Sequence, residues 1–343
     1  MTNEAAPLLL RACRREPVER TPVWLMRQAG RYMREYREIR DRVGFLTLCK
    51  TPDLAAHVTL DAVKRLGVDA AILFADLLLP VEPMGFRLAY EKGGGPSIDP
   101  PVREARDVDR VKIADPAELG YVYEAVKRIR AALDPALALI GFVGAPFTLA
   151  AYLIEGGGTK DFARTRAFMA ADPGAWRALL EKAADSLAAF ANGQVAAGAQ
   201  VIQVFDSWVG CVPPDAYREQ VLPCTRRLIR AVRGVPVIHF GTGTGALLEL
   251  MREAGGDVIG VDHTLSLGAA WRRLGPGVGI QGNLDPDVLF RDIPAIRAEA
   301  RRILDEAGGR PGHIFNLGHG IKPATPVEHA VALVEAVREL SRR

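Results

Sequence analysis

Cysteine is scarce and scattered. The four present, Cys13, Cys49, Cys211 and Cys224, form no Cys-x-x-Cys pair. That excludes a dense disulfide framework, argues against a structural zinc site and fits a reducing compartment. Lysine is scarce too, supplying 8 of the 44 basic residues. Genome composition can produce such a bias, so the positions of the arginines carry the information and their number does not. A long basic block is also missing. With a net charge of +3 and an isoelectric point near 8.7, the chain lacks the electrostatic footprint of a nucleic-acid binder. The opening MTNEAAPLLLRACRREP has three consecutive leucines before charges resume, so it lacks the apolar stretch of a signal peptide and reads as cytoplasmic.

Two uncharged stretches, Pro135 to Ile154 and Ser186 to Phe205, raise the question of a membrane span. Gly141, Gly144 and Pro146 interrupt the first, and Asn192, Gln194, Gln200 and Gln203 the second. These fit strand-turn-helix and helix-turn-strand joints better than insertion. What the 343 residues do hold is ample apolar material, 49% hydrophobic against 25% charged, the balance of an ordinary folded protein.

That material falls into eight short runs: VWLM (23 to 26), AAILF (70 to 74), LALIGF (137 to 142), QVIQVF (200 to 205), VPVIHF (235 to 240), DVIGV (257 to 261), VGIQG (278 to 282) and HIFNL (313 to 317). Most are continuously apolar, as parallel strands covered on both faces must be. Helical patterns separate them, among them Trp176 to Asn192, Ala246 to Ala254 and Ile293 to Ala307. Eight β-α units predict a (β/α)8 TIM barrel, with Pro80 to Pro116 a loop excursion after the second strand. A doubly wound sheet uses the same grammar but needs a phosphate-binding glycine fingerprint after an early strand. RQAGRY stands there instead, and the glycines at 93 to 95, 156 to 158 and in GTGTG (241 to 245) are explained by strand-to-helix turns. No low-complexity linker divides the chain, so residues 1–343 are expected to form one domain.

Barrel enzymes take their reactive groups from the carboxyl ends of the strands. Just past each run lie Arg27 and Arg31; Asp76; Pro146 and then Tyr152; Asp206 and Ser207; Asp262 and His263; Asn283 and Asp285; and His319. If their segment is helical, Arg27, Arg31 and Arg34 share a face, with Glu35 and Glu38 as surface partners. Immediately after a core strand, however, a planar guanidinium is well placed to bind a carboxylate through two parallel hydrogen bonds. Asp76, embedded in LFADLLLP, requires hydrogen bonds or a cation to offset burial, or else caps a helix; spacing alone weighs these equally. The capping reading also applies to Asp206, Ser207 and Asp285. Tyr152 has packing as its alternative role, and His319 in NLGHG has a structural one. The six histidines form no HxxxH or HExxH pattern, so no metal site is expected.

At these residues the sequence resembles the uroporphyrinogen decarboxylase family. PVWLMRQAGRYMREYREIR (22 to 40) and GFVGAPFTLAAYLIEG (141 to 156) resemble its two signatures, and FADLLLP, AGAQVIQVFDS, IQGNLDP and FNLGHGI follow in family order. The resemblance spans essentially the whole chain. It implies a (β/α)8 barrel, a homodimer and decarboxylation of the four acetate arms of uroporphyrinogen III to give coproporphyrinogen III, without a cofactor. By motif it places Arg27, Arg31, Asp76, Tyr152, Ser207 and His319 at substrate and catalytic positions, with Arg40 as a further substrate contact. Asp76, Arg27, Tyr152 and His319 are the expected catalytic groups. Two departures are FDSWVG, where the family often has glutamate and histidine around the serine, and HFGTGTG, where some members carry a lysine. The rival readings are a zinc-dependent corrinoid methyltransferase, whose His-x-Cys pair is replaced here by His239, Phe240 and Gly241, and a tetrapyrrole-binding protein without turnover.

Overall fold

The computed structural model describes residues 6–90 and 95–343, so Gly93, Gly94 and the first five residues lie outside the described part. Seven parallel strands form one curled sheet. They are β1 (Ala70–Ile72), β4 (Ala138–Gly144), β5 (Val201–Asp206), β6 (Val237–Gly241), β7 (Val258–Gly260), β8 (Gly279–Gln281) and β9 (His313–Ile314), in that spatial order. Every residue of β4 is buried, which explains its unbroken apolar sequence: helices cover one face and the barrel interior the other. Two further strands, β2 (Arg87–Tyr90) and β3 (Pro96–Asp99), form an antiparallel hairpin within the predicted excursion.

The eighth stave is the residue pair Val23 and Trp24. Val23 bridges Phe315 in parallel, Phe315 N–H donates to the Pro22 carbonyl at 2.9 Å, Trp24 N–H to that of Phe315 at 3.3 Å, and Asp69 N–H to that of Val23 at 2.8 Å. The first segment thus joins β9 to β1 and closes the ring. Its ladder is shorter than the VWLM run predicts, because Met26 N–H is captured by the Asn316 side chain at 2.9 Å and Leu25 N–H by Gln28 at 3.1 Å. HIFNL is likewise strand only at its start, with a further bridge from Leu317 to Leu284.

Polar links cross the barrel interior. Gln203 on β5 and Gln281 on β8 are separated by two strands, so their amide contact at 3.2 Å must run through the interior; Trp24 Nε1–H donates to Gln281 at 3.0 Å. Below β1, the buried Asp69 carboxylate accepts two 2.6 Å bonds from the Arg20 fork, one from Arg338 at 2.9 Å and one from Val23 N–H at 2.9 Å. A buried carboxylate is tolerable only with such full compensation. This cluster pins the closing stave at the amino end of the barrel and leaves the carboxyl end free for chemistry.

The outer helices follow from their termini. Pro173–Ala197 starts at Asp172, whose side chain accepts from Ala175 N–H. Ile293–Ala307 starts at Asp292 in the same way and stops at Gly308 in the left-handed region. Both have proline in the first turn, where a missing N–H costs nothing. Among the described residues no helix is long and apolar enough to cross a membrane; the two uncharged stretches are β4 with its following helix Pro146–Glu155, and the end of Pro173–Ala197 with β5.

Candidate active site

Arg27 is held in an unusual place. The expectation that Arg27, Arg31 and Arg34 share a helix face is corrected by the structure: the helix begins at Arg34, and Arg27 has a φ of 62°. A left-handed conformation costs a non-glycine residue on the order of 1 kcal/mol, so something must enforce it. The buried Gln28 supplies the constraint, accepting from Leu25 N–H and donating to the Ala70 carbonyl at 3.0 Å, while Tyr32 O–H donates to the Gln28 carbonyl at 2.7 Å. These bonds fold residues 25–32 into a turn over β1, and the Arg27 side chain leaves that turn toward the barrel mouth.

There its charge reaches three other predicted residues. Arg27 acts electrostatically on Asp76, Tyr152 and His319. Its Cγ, Cδ and Nε run directly over Gly320, so close that a Cβ there would lie 2.4 Å from Cδ. Among the described residues, Arg27, Arg31 and Arg40 belong to no ion pair. Their charges are therefore available to an anionic ligand.

Asp76 follows β1 and is half-buried. The hydrogen-bonded reading holds and the helix-cap reading does not: Oδ1 accepts from Leu78 N–H at 2.7 Å and Oδ2 from the Tyr90 hydroxyl at 2.7 Å, while the short turn Leu79–Val81 has Leu78 at its cap position and no side-chain cap. Burial raises its pKa above the usual carboxylate value, and Tyr90, Leu78 and Arg27 pull against that rise. Burial also pushes the Tyr152 phenol up to about 12, so that it is protonated at neutral pH. The Tyr152 ring stacks on Trp208 with centroids 3.8 Å apart.

His319 is exposed at the rim, and Gly320 N–H donates to its Nδ1 at 2.7 Å. The neutral ring therefore carries its proton on Nε2. Partial desolvation first, then Arg27 and His263, lower its pKa. Ser207 precedes Trp208, the residue stacked on Tyr152, and its carbonyl accepts from the Thr242 hydroxyl; Trp208 N–H donates to Thr148 Oγ1 at 3.3 Å. Arg40 lies over the Phe45 ring at 5.2 Å, and Arg31 projects from a turn whose carbonyl accepts from Arg37 at 2.8 Å.

Asp206, Asp262, Asn283 and Asp285 make their bonds within the fold. Asp262 accepts from Gly243 N–H, Thr264 N–H and the Thr264 hydroxyl. The Asn283 amide donates to the Asp262 and Leu265 carbonyls, and Asp285 caps Pro286–Phe290. Asp206 is fully buried and accepts from Thr148 at 2.9 Å, with burial pushing its pKa up to about 7. His239 is fully buried, its pKa lowered to about 4 by desolvation. Among the described residues no three His, Cys, Asp or Glu side chains are grouped to hold a metal.

Sequence reading missed Tyr90 and Gly320. Tyr90 lies in the excursion, where no periodicity distinguishes one aromatic from another; the signal for Gly320 was present in NLGHG, as a glycine beside a candidate histidine.

The family model described as "Uroporphyrinogen decarboxylase (URO-D)" matches residues 4–340. A curated protein of that name from Solibacter usitatus is 54% identical over 332 residues, 96% of each chain. Another from Sorangium cellulosum is 54% identical over 336 residues, 97% of this chain and 96% of its own. Among solved structures, a methyltransferase from Methanosarcina mazei superposes with a TM-score of 0.82 at 24% identity, covering 96% of this chain and 97% of that one. At that identity the likeness concerns the barrel alone.

Proposed function

The chain belongs to the uroporphyrinogen decarboxylase family and is a carboxy-lyase of tetrapyrrole biosynthesis, and from that premise we propose how its residues divide the reaction. Asp76, Arg27, Tyr152 and His319 form the reacting centre, and Arg31, Arg40 and Ser207 hold substrate beside them. The observation that carries this reading is the meeting of Arg27, in an enforced left-handed turn, with Asp76, Tyr152 and His319 at the carboxyl end of the strands.

Losing carbon dioxide from an acetate arm requires somewhere for the electron pair to go. The pyrrole provides it. A proton added to a ring carbon gives a cationic ring; the C–CO2 bond breaks and its electrons neutralise the ring; a second proton converts the exposed methylene to methyl, and loss of the ring-carbon proton restores the pyrrole. Each arm thus takes up one net proton and releases one carbon dioxide. No external electron sink is needed, so the cycle as proposed uses no cofactor and no metal.

Asp76 accepts hydrogen bonds from the pyrrole N–H groups and stabilises the cation as it develops, the circumstance in which electrostatic stabilisation is most effective. The arginines act under a different constraint. A salt bridge to the departing carboxylate stabilises the ground state and slows its loss, whereas bridges to the other carboxylates position the macrocycle. Arg31 and Arg40 take that second role. Arg27, whose charge acts on Asp76, holds a carboxylate next to the reacting arm and not the departing one. A guanidinium is a poor acid, so the proton is delivered through water or through Tyr152 or His319, whose neutral tautomer carries its proton on Nε2.

Anaerobic incubation with uroporphyrinogen III, followed by oxidation and chromatography, is expected to yield the four-carboxylate coproporphyrin. Recovery of unchanged eight-carboxylate material would defeat the assignment, including in favour of a binding protein without turnover. We further read residues 1–343 as one domain that works as a homodimer in the cytoplasm. A sedimentation mass equal to one 37.1 kDa chain would contradict the dimer.

A further inference from the structure

We propose that Tyr90 is a positioning residue for the decarboxylating site, its hydroxyl fixing the plane of the Asp76 carboxylate so that the remaining lone pairs of both oxygens are presented to the pyrrole N–H groups. This rests on the role given to Asp76 above.

An aspartate held at one oxygen can still swing about its last torsion, which is broad for this side chain. The Leu78 N–H anchors Oδ1 and the Tyr90 hydroxyl anchors Oδ2, each at 2.7 Å. Two anchors define a plane where one does not. An ionised carboxylate offers about four acceptor sites, so these two bonds leave capacity on each oxygen for substrate donors.

Tyr90 can act as an anchor because it is itself held. Its ring meets Phe45 edge-on with centroids 4.7 Å apart, and Phe45 meets Phe74 in the same manner at 6.2 Å while carrying Arg40 on its face. The hairpin that bears Tyr90 is tied to the barrel: Ile98 N–H donates to the Gly156 carbonyl at 2.9 Å, and Val102 N–H to that of Leu153 at 2.9 Å. A Cβ on Gly157 would lie 2.6 Å from the Pro96 carbonyl oxygen, so the hairpin sits directly against the segment that follows Tyr152. The excursion thereby contributes one hydroxyl to the reacting centre.

Tyr90→Phe keeps the ring and its packing and removes only the donor. It is expected to lower kcat about tenfold, the range for one hydrogen bond to a charged group, with KM within about twofold of the parent. The acidic limb of the kcat/KM profile is expected to move to higher pH, because a donor to the ionised carboxylate holds its pKa down and its loss lets burial raise it further. Arg27, Tyr152, Tyr121 and Cys49 also face Asp76. Burial pushes the pKa values of Tyr152, Tyr121 and Cys49 upward, so these groups stay neutral across that limb, and Arg27 is unchanged in the variant.

A variant with the parent's kcat and pH profile overturns the inference, and so does one whose only change is a lower melting temperature, since packing alone explains that. Asp76→Asn measured alongside separates the two claims. Full turnover in Asp76→Asn removes the role of Asp76 and the inference with it; a dead Asp76→Asn beside an unaltered Tyr90→Phe removes the inference alone.

Discussion

Replacing Asp76 with asparagine is expected to lower kcat for uroporphyrinogen by about 10²–10³-fold, the range found when one preorganised group facing developing charge is removed. The amide is nearly isosteric and keeps an oxygen for Leu78 N–H. It loses the negative charge and brings two N–H donors toward pyrrole N–H groups that need an acceptor. Stability should respond in the opposite sense. Burial raises the Asp76 pKa, so the ionised form is favoured less in the folded chain than in the unfolded one. Its contribution to stability is therefore greatest at low pH and declines as pH rises through the raised pKa. Asp76→Asn should melt at the same temperature as the parent, or higher, at pH 8. Single-turnover rates under anaerobic conditions, with thermal melts on the same samples, measure both. A variant with full turnover would refute the charge-stabilising role.

Replacing Gly320 with alanine is expected to cost roughly 10² in kcat/KM, since a displacement of about 1 Å at a positioned reactive group has that effect. The new Cβ would fall 2.4 Å from Arg27 Cδ, 2.7 Å from Cγ and 2.9 Å from Nε. Those distances cannot be sustained, and the backbone cannot retreat: Gly320 N–H is bonded to His319 Nδ1, and Ile321 N–H to the Met26 carbonyl at 3.0 Å. The arginine side chain must give way. Because it is flexible, the fold should survive with little loss of stability. Gly318 provides the contrast, where a Cβ would lie 2.3 Å from the His263 backbone nitrogen and the collision is with main chain. Steady-state kinetics on Gly320→Ala test this; unchanged kcat/KM would mean that the observed course of Arg27 is not the one that matters.

How much of the molecule was legible in its sequence depended on how local each determinant is. β4, β5 and β6 were read to within two residues at each end, because a strand buried on both faces must be apolar throughout. Ile293–Ala307 was read to the residue, because Asp292, Pro294 and Gly308 mark its ends. The first stave was read too long, since its continuation is diverted by Asn316, a residue nearly three hundred positions away. The shared helix face expected for Arg27, Arg31 and Arg34 failed for a related reason. Helical spacing was compatible with the pattern, but the bonds of Gln28 to Leu25 and Ala70 select a turn.

The site divides along the same line. The sequence alone determined the barrel, its polarity and the family, and with them which charged residues follow which strands, because apolar periodicity and motif order are properties of the chain itself. Only the tertiary structure decided which of those residues meet. It gathered Arg27, Asp76, Tyr152 and His319 at one mouth, sent Asp206, Asp262, Asn283 and Asp285 into the support of loops and helices, and brought Tyr90 in from an excursion with no periodic signal. The physical reason is that a carboxylate's role is set by the donors that reach its two oxygens. For Asp76 one donor is its close neighbour Leu78, while the other is carried by a hairpin whose position depends on the packing of the whole barrel wall.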